Sequence, residues 1–126
     1  MLNKKPIKAK PSYYAYCFFG LKEIALEYGY NLVLHGSLDR DLDLIAIPWQ
    51  EKIGDSVEMI KQFAEYLNGK LQHYSYDENM NKVYHTMLHQ GRKSYVIDLN
   101  RGGSFNNWED VEYYVDISVT PTINYL

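Results

Sequence analysis

Cysteine is almost absent from this chain, and its scarcity is the first constraint on the protein. Cys17 is the only cysteine among 126 residues, so no disulfide can form within the chain. A long apolar run is also missing. The most apolar stretch, residues 13–19, is shorter than the roughly 20 residues that span a membrane, and no secretory cleavage site follows it. We therefore expect a cytoplasmic protein without a membrane partner.

An excess of positive charge is the next absence. The chain has 13 Lys and Arg against 16 Asp and Glu, for a net charge of −3. Affinity for duplex nucleic acid comes mostly from neutralising phosphates, so we expect no duplex partner. The exception is residues 1–11, whose four lysines and two prolines predict a flexible, basic N-terminal arm. We assign residues 12–126 to a single domain.

Tyrosine, in contrast, is abundant, with 13 residues. Tyrosine favours strands and packs with its hydroxyl near water, which suits a sheet-rich fold. A tyrosine-rich surface would also suit contact with another protein.

Apolar spacing predicts two main helices, over residues 12–28 and 56–68. The first is followed by Gly29, a residue typical of helix ends. Its predicted buried stripe consists of Tyr14, Cys17, Leu21, Ile24 and Tyr28. In the second helix, Asp55 is the expected N-cap and Gly69 the expected stop.

The remaining apolar segments read as strands, over residues 31–35, 41–49, 70–76, 83–89, 94–99 and 113–119. The order α-β-β-α followed by strands predicts an α+β fold, with a mixed or antiparallel sheet packed against two main helices. The segment 90–93 is interpreted as a solvated hairpin tip.

Two aspartates begin the clearest strand of the chain. Because strand side chains alternate between faces, Asp41 and Asp43 lie side by side, with Cα atoms roughly 6.5 to 7 Å apart. Leu42 and Leu44 lie on the other face. Two like charges at the start of an apolar strand are unfavourable unless something compensates them. A hard divalent cation such as Mg²⁺ is the natural compensator.

A Gly-Ser turn precedes this strand. Gly36 allows the backbone to approach a ligand closely, and successive backbone N–H groups in such a turn can bind a phosphate. The Ser37 hydroxyl adds a donor. Arg40 suits either a phosphate or a neighbouring carboxylate. The pattern favours phosphates at the turn and metal at the aspartates, on one side of the sheet.

The block His-Gly-Ser-Leu-Asp-Arg-Asp-Leu-Asp-Leu over residues 35–44 resembles the signature of the nucleotidyltransferase-fold superfamily. Continued through Pro-Trp at 48–49, it is more closely similar to a group of small bacteriophage proteins, which also end in a strand like residues 114–121. The resemblance implies a nucleotidyltransferase-like fold with a third carboxylate on a neighbouring strand. The bacteriophage group favours Asp116 and the superfamily's element order favours Asp98; Asp116 is preferred.

The function that this resemblance implies is transfer of a nucleoside monophosphate from a nucleoside triphosphate to an acceptor hydroxyl. It would take place in the host cytoplasm if the protein is phage-encoded. Mg²⁺ or Mn²⁺ would be held by Asp41, Asp43 and Asp116. Asp116 or Asp98 would help to activate the acceptor, and the nucleotide would contact Gly36, Ser37 and Arg40.

Only three residues separate Ser37 from Asp41, fewer than is typical of active members of the superfamily. This short segment favours an alternative: a catalytically weak or inactive phage-type protein that acts by binding a nucleotide and a metal, or a host protein.

Overall fold

The structure, a computed structural model, describes residues 10–36, 41–99 and 114–121 of the chain. These residues form two helices, α1 (Lys10–Glu27) and α2 (Ser56–Leu67). Their strands are β1 (Tyr30–His35), β2 (Asp41–Pro48), β3 (Lys70–Leu71), β4 (Ser75–Tyr76), β5 (Lys82–Val83), β6 (Thr86–Met87), β7 (Lys93–Asp98) and β8 (Tyr114–Val119). The predicted α+β class, with two helices and a mixed sheet, is confirmed. Neither of these helices is long and apolar enough to cross a membrane.

Helix α1 begins two residues before its predicted start, so Lys10 and Pro11, which we assigned to the arm, belong to it. Proline is tolerated in a first helical turn because its missing N–H would have no intrahelical acceptor there. The arm's residues 1–9 lie outside the described residues. Gly29, at φ +85°, takes the chain from the helix towards β1. The predicted stripe is fully buried at Tyr14, Cys17 and Leu21 and half-buried at Ile24 and Tyr28.

Helix α2 begins after the predicted N-cap residue but ends one residue earlier than predicted. The Asp55 side chain accepts a hydrogen bond of 2.9 Å from the backbone N–H two residues on. At the other end Asn68, rather than Gly69, adopts the left-handed conformation, at φ 54°. Gly69 is needed for close packing, because a Cβ there would lie 2.7 Å from side-chain methyl groups of Ile97 and Leu99. The predicted stop at Gly69 was therefore misplaced by one residue.

The main sheet has the strand order β1-β2-β8-β7-β3, with β6 also paired to β7. Strands β2 and β8 are parallel, and the other pairs are antiparallel. The long strands predicted over 70–76 and 83–89 are each broken in two. The Gln72 N–H still donates to the Val96 carbonyl, at 3.0 Å, whereas the Tyr74 N–H donates to Val83, at 2.8 Å. The chain thus leaves the main sheet at this point to form the separate β4–β5 hairpin.

The helices and the sheet form two layers with one core between them. Alternate residues of the central strands are buried in that core, among them Leu42, Leu44, Ala46, Val115 and Ile117. They belong to one apolar cluster with Tyr14 and Leu21 of α1 and Phe63 of α2. We call this side of the sheet the covered face. The residues between them on β2 and β8 point to the opposite side, the open face, and are half-buried or exposed.

Candidate metal centre

Three aspartates meet on the open face where β2 and β8 run side by side. Asp43 is the register partner of Asp116, and Asp41 is the partner of Tyr114. Each of the three carboxylates offers an oxygen that lies within 4.8 Å of the other two. Oxygens bound to a single Mg²⁺ at about 2.1 Å are at most about 4.2 Å apart, so small side-chain rotations would suffice to share one ion. The structure thus brings together the three residues predicted to bind metal.

The three carboxylates repel one another strongly enough to change how one of them ionises. The pKa of Asp116 is raised from 3.8 to about 6, first by burial and then by the charges of Asp41 and Asp43. A hydrogen bond with the Asp43 side chain acts in the same direction, because it favours the protonated carboxyl. Every one of these influences raises the pKa. A divalent cation would remove this penalty, and oxygen-only ligands suit Mg²⁺ or Mn²⁺.

The predicted glycine turn lies directly against this cluster. His35, the last residue of β1, is the register partner of Asp43. Gly36 follows at φ +87°, a conformation that favours glycine. A Cβ on Gly36 would lie 2.9 Å from Asp43 Oδ2, so the absence of a side chain lets the backbone approach the carboxylate. Ser37 and Arg40, the other predicted nucleotide contacts, lie outside the described residues.

Asp98, the second candidate for the third carboxylate, does not join the cluster of Asp41, Asp43 and Asp116. It lies one strand further away, on β7, where its register partner is Tyr114 rather than Asp116. It is also buried, at 4% exposure, whereas the three clustered aspartates are half-buried. A carboxylate that binds a ligand must be accessible to it. Asp116 is the more accessible of the two candidates.

A cavity of about 400 Å³ opens beside the cluster. Its lining includes His35, Asp43, Ile45, Leu88, Arg92, Asp116 and Ser118. Leu88 and Arg92 come from the connection between β6 and β7, and only Arg92 belongs to the segment 90–93 that the sequence indicates as a solvated hairpin tip. Arg92 is in fact half-buried and lines the same cavity as two of the aspartates. The sequence contains one signal for the position of Arg92. Arg92, Ser94 and Val96 are two residues apart, which places them on one face of an extended chain.

Tyr74 is a further neighbour of the cluster that sequence reasoning missed. Partial burial raises the pKa of its hydroxyl, and the charge of Asp116 raises it further. The side chain remains 44% exposed. An exposed aromatic ring beside the aspartate cluster is available to contact a ligand. Tyr74 lies on the segment after β3, where the chain has left the main sheet.

Comparison of the chain with protein-family models, with curated proteins and with solved structures finds no match. The function must therefore be inferred from the chemistry of the site itself. Three clustered carboxylates, a glycine turn packed on one of them and the Arg92 guanidinium, which lines a cavity with Asp43 and Asp116, form a constellation suited to a divalent metal and an anionic ligand.

Proposed function

We propose that this protein is a metal-dependent nucleotidyltransferase, which moves a nucleoside monophosphate from a nucleoside triphosphate to an acceptor hydroxyl. The observation that carries the proposal is the convergence of Asp41, Asp43 and Asp116 on the open face, with carboxylate oxygens within 4.8 Å of one another. The nucleotidyltransferase-like pattern of residues 35–44 supports the same reaction class.

The three aspartates would hold Mg²⁺ or Mn²⁺, which supplies charge neutralisation at the phosphate oxygens. In the reaction the acceptor oxygen forms a bond to the α-phosphorus, and the bond from that phosphorus to the bridging oxygen breaks, releasing pyrophosphate. Asp116 lies in the cluster with the metal-binding carboxylates, so its carboxylate would be placed to receive the proton of the acceptor hydroxyl. The Gly36 turn is suited to donate backbone N–H groups to the phosphates.

The proposal can be tested by turnover. The protein is incubated with α-labelled nucleoside triphosphates and Mn²⁺ or Mg²⁺, and label is followed on protein, nucleic-acid and small hydroxyl acceptors. We expect transfer by the wild type and none by Asp43→Asn. Asp77→Asn is the matched control, because the Asp77 side chain lines a different cavity and an amide oxygen can still accept its two backbone hydrogen bonds.

A second candidate is binding without turnover. The Gly36 turn packs so closely on Asp43 Oδ2 that a Cβ would lie 2.9 Å away, which leaves little room between turn and carboxylate for a reacting phosphate. Calorimetry separates the two candidates. Affinity for metal and nucleotide without transfer to any acceptor supports the binding protein, and absence of metal affinity in the wild type rejects both.

A further inference from the structure

Arg92 is held by a short turn between β6 and β7. The Leu88 N–H donates to the Arg92 carbonyl at 2.8 Å, which closes the turn. Gln90 and Gly91 take positive φ angles of 64° and 75° within it. The strands on either side continue the pairing, with Met87 opposite Lys93. The backbone of Arg92 is therefore anchored to the main sheet rather than to a free loop.

Strand alternation sends Arg92 and Lys93 to opposite faces. Arg92 is extended, at φ −74° and ψ 139°, so it continues the alternation of β7. On that strand Val96 is the register partner of Asp116, which places Arg92 on the open face. The cavities agree with this assignment: Arg92 lines the one at the aspartates, whereas Lys93 lines another of about 340 Å³, which is also lined by Tyr30.

The charge of Arg92 is not used to neutralise the aspartates. Within residues 10–36, 41–99 and 114–121, no carboxylate lies within ion-pairing distance of its guanidinium. Arg92 thus shares a cavity with Asp43 and Asp116 without pairing with them. A guanidinium in that position is available to an anion that enters the cavity.

We propose that Arg92 is an anion-binding residue of this site and contacts the phosphate chain of a metal-bound polyphosphate. The metal end of that ligand is held by Asp41, Asp43 and Asp116, and the chain extends across β8 towards the β6–β7 turn. This inference rests on the proposed metal site. It adds a residue for the phosphate end of the ligand, because Arg92 lines the same cavity as Asp43 and Asp116.

The experiment compares three probes on the purified protein by calorimetry: Mn²⁺ alone, tripolyphosphate with Mn²⁺, and ATP with Mn²⁺. The variants are Arg92→Gln and the matched control Lys93→Gln, which removes the neighbouring cation on the other face. Arg92→Lys is included because it keeps the positive charge but loses the bidentate hydrogen bonding of a guanidinium. It also serves as the test variant if Arg92→Gln fails to fold.

We expect Arg92→Gln to weaken tripolyphosphate and ATP by about tenfold or more, since a charge-assisted hydrogen bond is lost. Both ligands should be affected to the same extent, because the contact is to phosphate. Arg92→Lys should show a smaller loss, and Lys93→Gln should bind like the wild type. The affinity for Mn²⁺ alone should change little in any variant.

Several results would overturn the inference. Unchanged tripolyphosphate affinity in Arg92→Gln would remove Arg92 from the ligand. A tighter Mn²⁺ site in that variant, without a loss of polyphosphate affinity, would make Arg92 a partner of the aspartates instead. Weakening of ATP alone would move the contact to the nucleoside. If the wild type binds Mn²⁺ but no tripolyphosphate, the inference fails and the metal site stands; if it binds no Mn²⁺, the proposed function fails as well.

Discussion

The covered and open faces of the sheet are made by the same strands and obey different requirements. On the covered face Leu42, Leu44 and Ile117 are at most 2% exposed and pack against the helices. On the open face the intervening positions carry Asp41, Asp43 and Asp116, which are half-buried and repel one another. One face lowers the free energy of the fold, and the other raises it in the absence of a cation.

A stable core on one face allows this small fold to hold like charges together on the other. Burial of an apolar side chain contributes roughly 1.5–3 kcal/mol, and the core formed on the covered face contains many such side chains. That stability keeps β2 and β8 in register against the repulsion on the other side. Loss of an apolar side chain from the covered face should therefore lower stability, whereas loss of one charge from the aspartate cluster should raise it.

The largest effect is expected on the covered face. Ile117→Ala should lower the free energy of unfolding by about 2–5 kcal/mol, because it leaves a cavity at a fully buried position. Ile45→Ala, on the half-buried open face, should lower it by less than about 1 kcal/mol. Urea unfolding measures both values. Equal losses would show that the two faces do not differ in packing.

Overpacking the covered face should have the next largest effect. In Gly69→Ala the new methyl group would lie 2.7 Å from side-chain carbons of Ile97 and Leu99, so these must shift. We expect a loss of about 1–3 kcal/mol in urea unfolding. The control is Lys70→Ala at the exposed neighbouring position, which should change stability by no more than about 0.5 kcal/mol. A neutral Gly69→Ala would mean that the covered face has room to adjust.

On the open face a substitution should stabilise the metal-free protein. Asp116→Asn removes one charge of the cluster, and because the side chain is only half-buried, solvent screening limits the expected gain at neutral pH to about 1 kcal/mol. Mn²⁺ should raise the melting temperature of the wild type and leave that of Asp116→Asn nearly unchanged. Asp77→Asn should respond to Mn²⁺ like the wild type. A destabilised Asp116→Asn would contradict the repulsion argument.

The smallest effect is a pH dependence carried by Asp116. Its pKa in the folded protein, about 6, lies above the ordinary 3.8. As pH rises between these values, the unfolded chain loses the proton while the folded protein retains it, so the metal-free protein should lose stability between about pH 4 and 6. Above that window the loss is complete. The free energy of unfolding is measured against pH by urea in the presence of a chelator. Between about pH 4 and 6 it should fall more steeply in the wild type than in Asp116→Asn. Parallel curves would argue against it.

The local elements of the first half of the chain could be predicted because their determinants are close in sequence. The Asp55 cap depends on a backbone N–H two residues away. Apolar spacing predicts the helices. The chain leaves α1 at Gly29, whose positive φ is a conformation that glycine adopts readily. Helix α1 began early only because Pro11 fits a first turn as well as it fits an arm.

The segment between α2 and β7 could not be predicted in the same way. Its strands are two residues long and pair in two different sheets. The turn around Asp77, whose side chain accepts hydrogen bonds from the Asn79 and Asn81 backbones, brings Ser75 opposite Val83. Which strand edge such a short segment pairs with depends on the tertiary structure. Strand propensity alone predicts longer, continuous strands here.

The shared face of Asp41 and Asp43 and the glycine turn before them can be predicted from the sequence, because strand alternation and turn chemistry are local. That Asp116 rather than Asp98 joins these two aspartates, and that Arg92 lines the adjoining cavity, depends on long-range strand pairing. Those outcomes depend on β8 pairing in parallel with β2 and antiparallel with β7. Such pairings join strands far apart in the chain, and it is the burial of the whole covered face that selects their register.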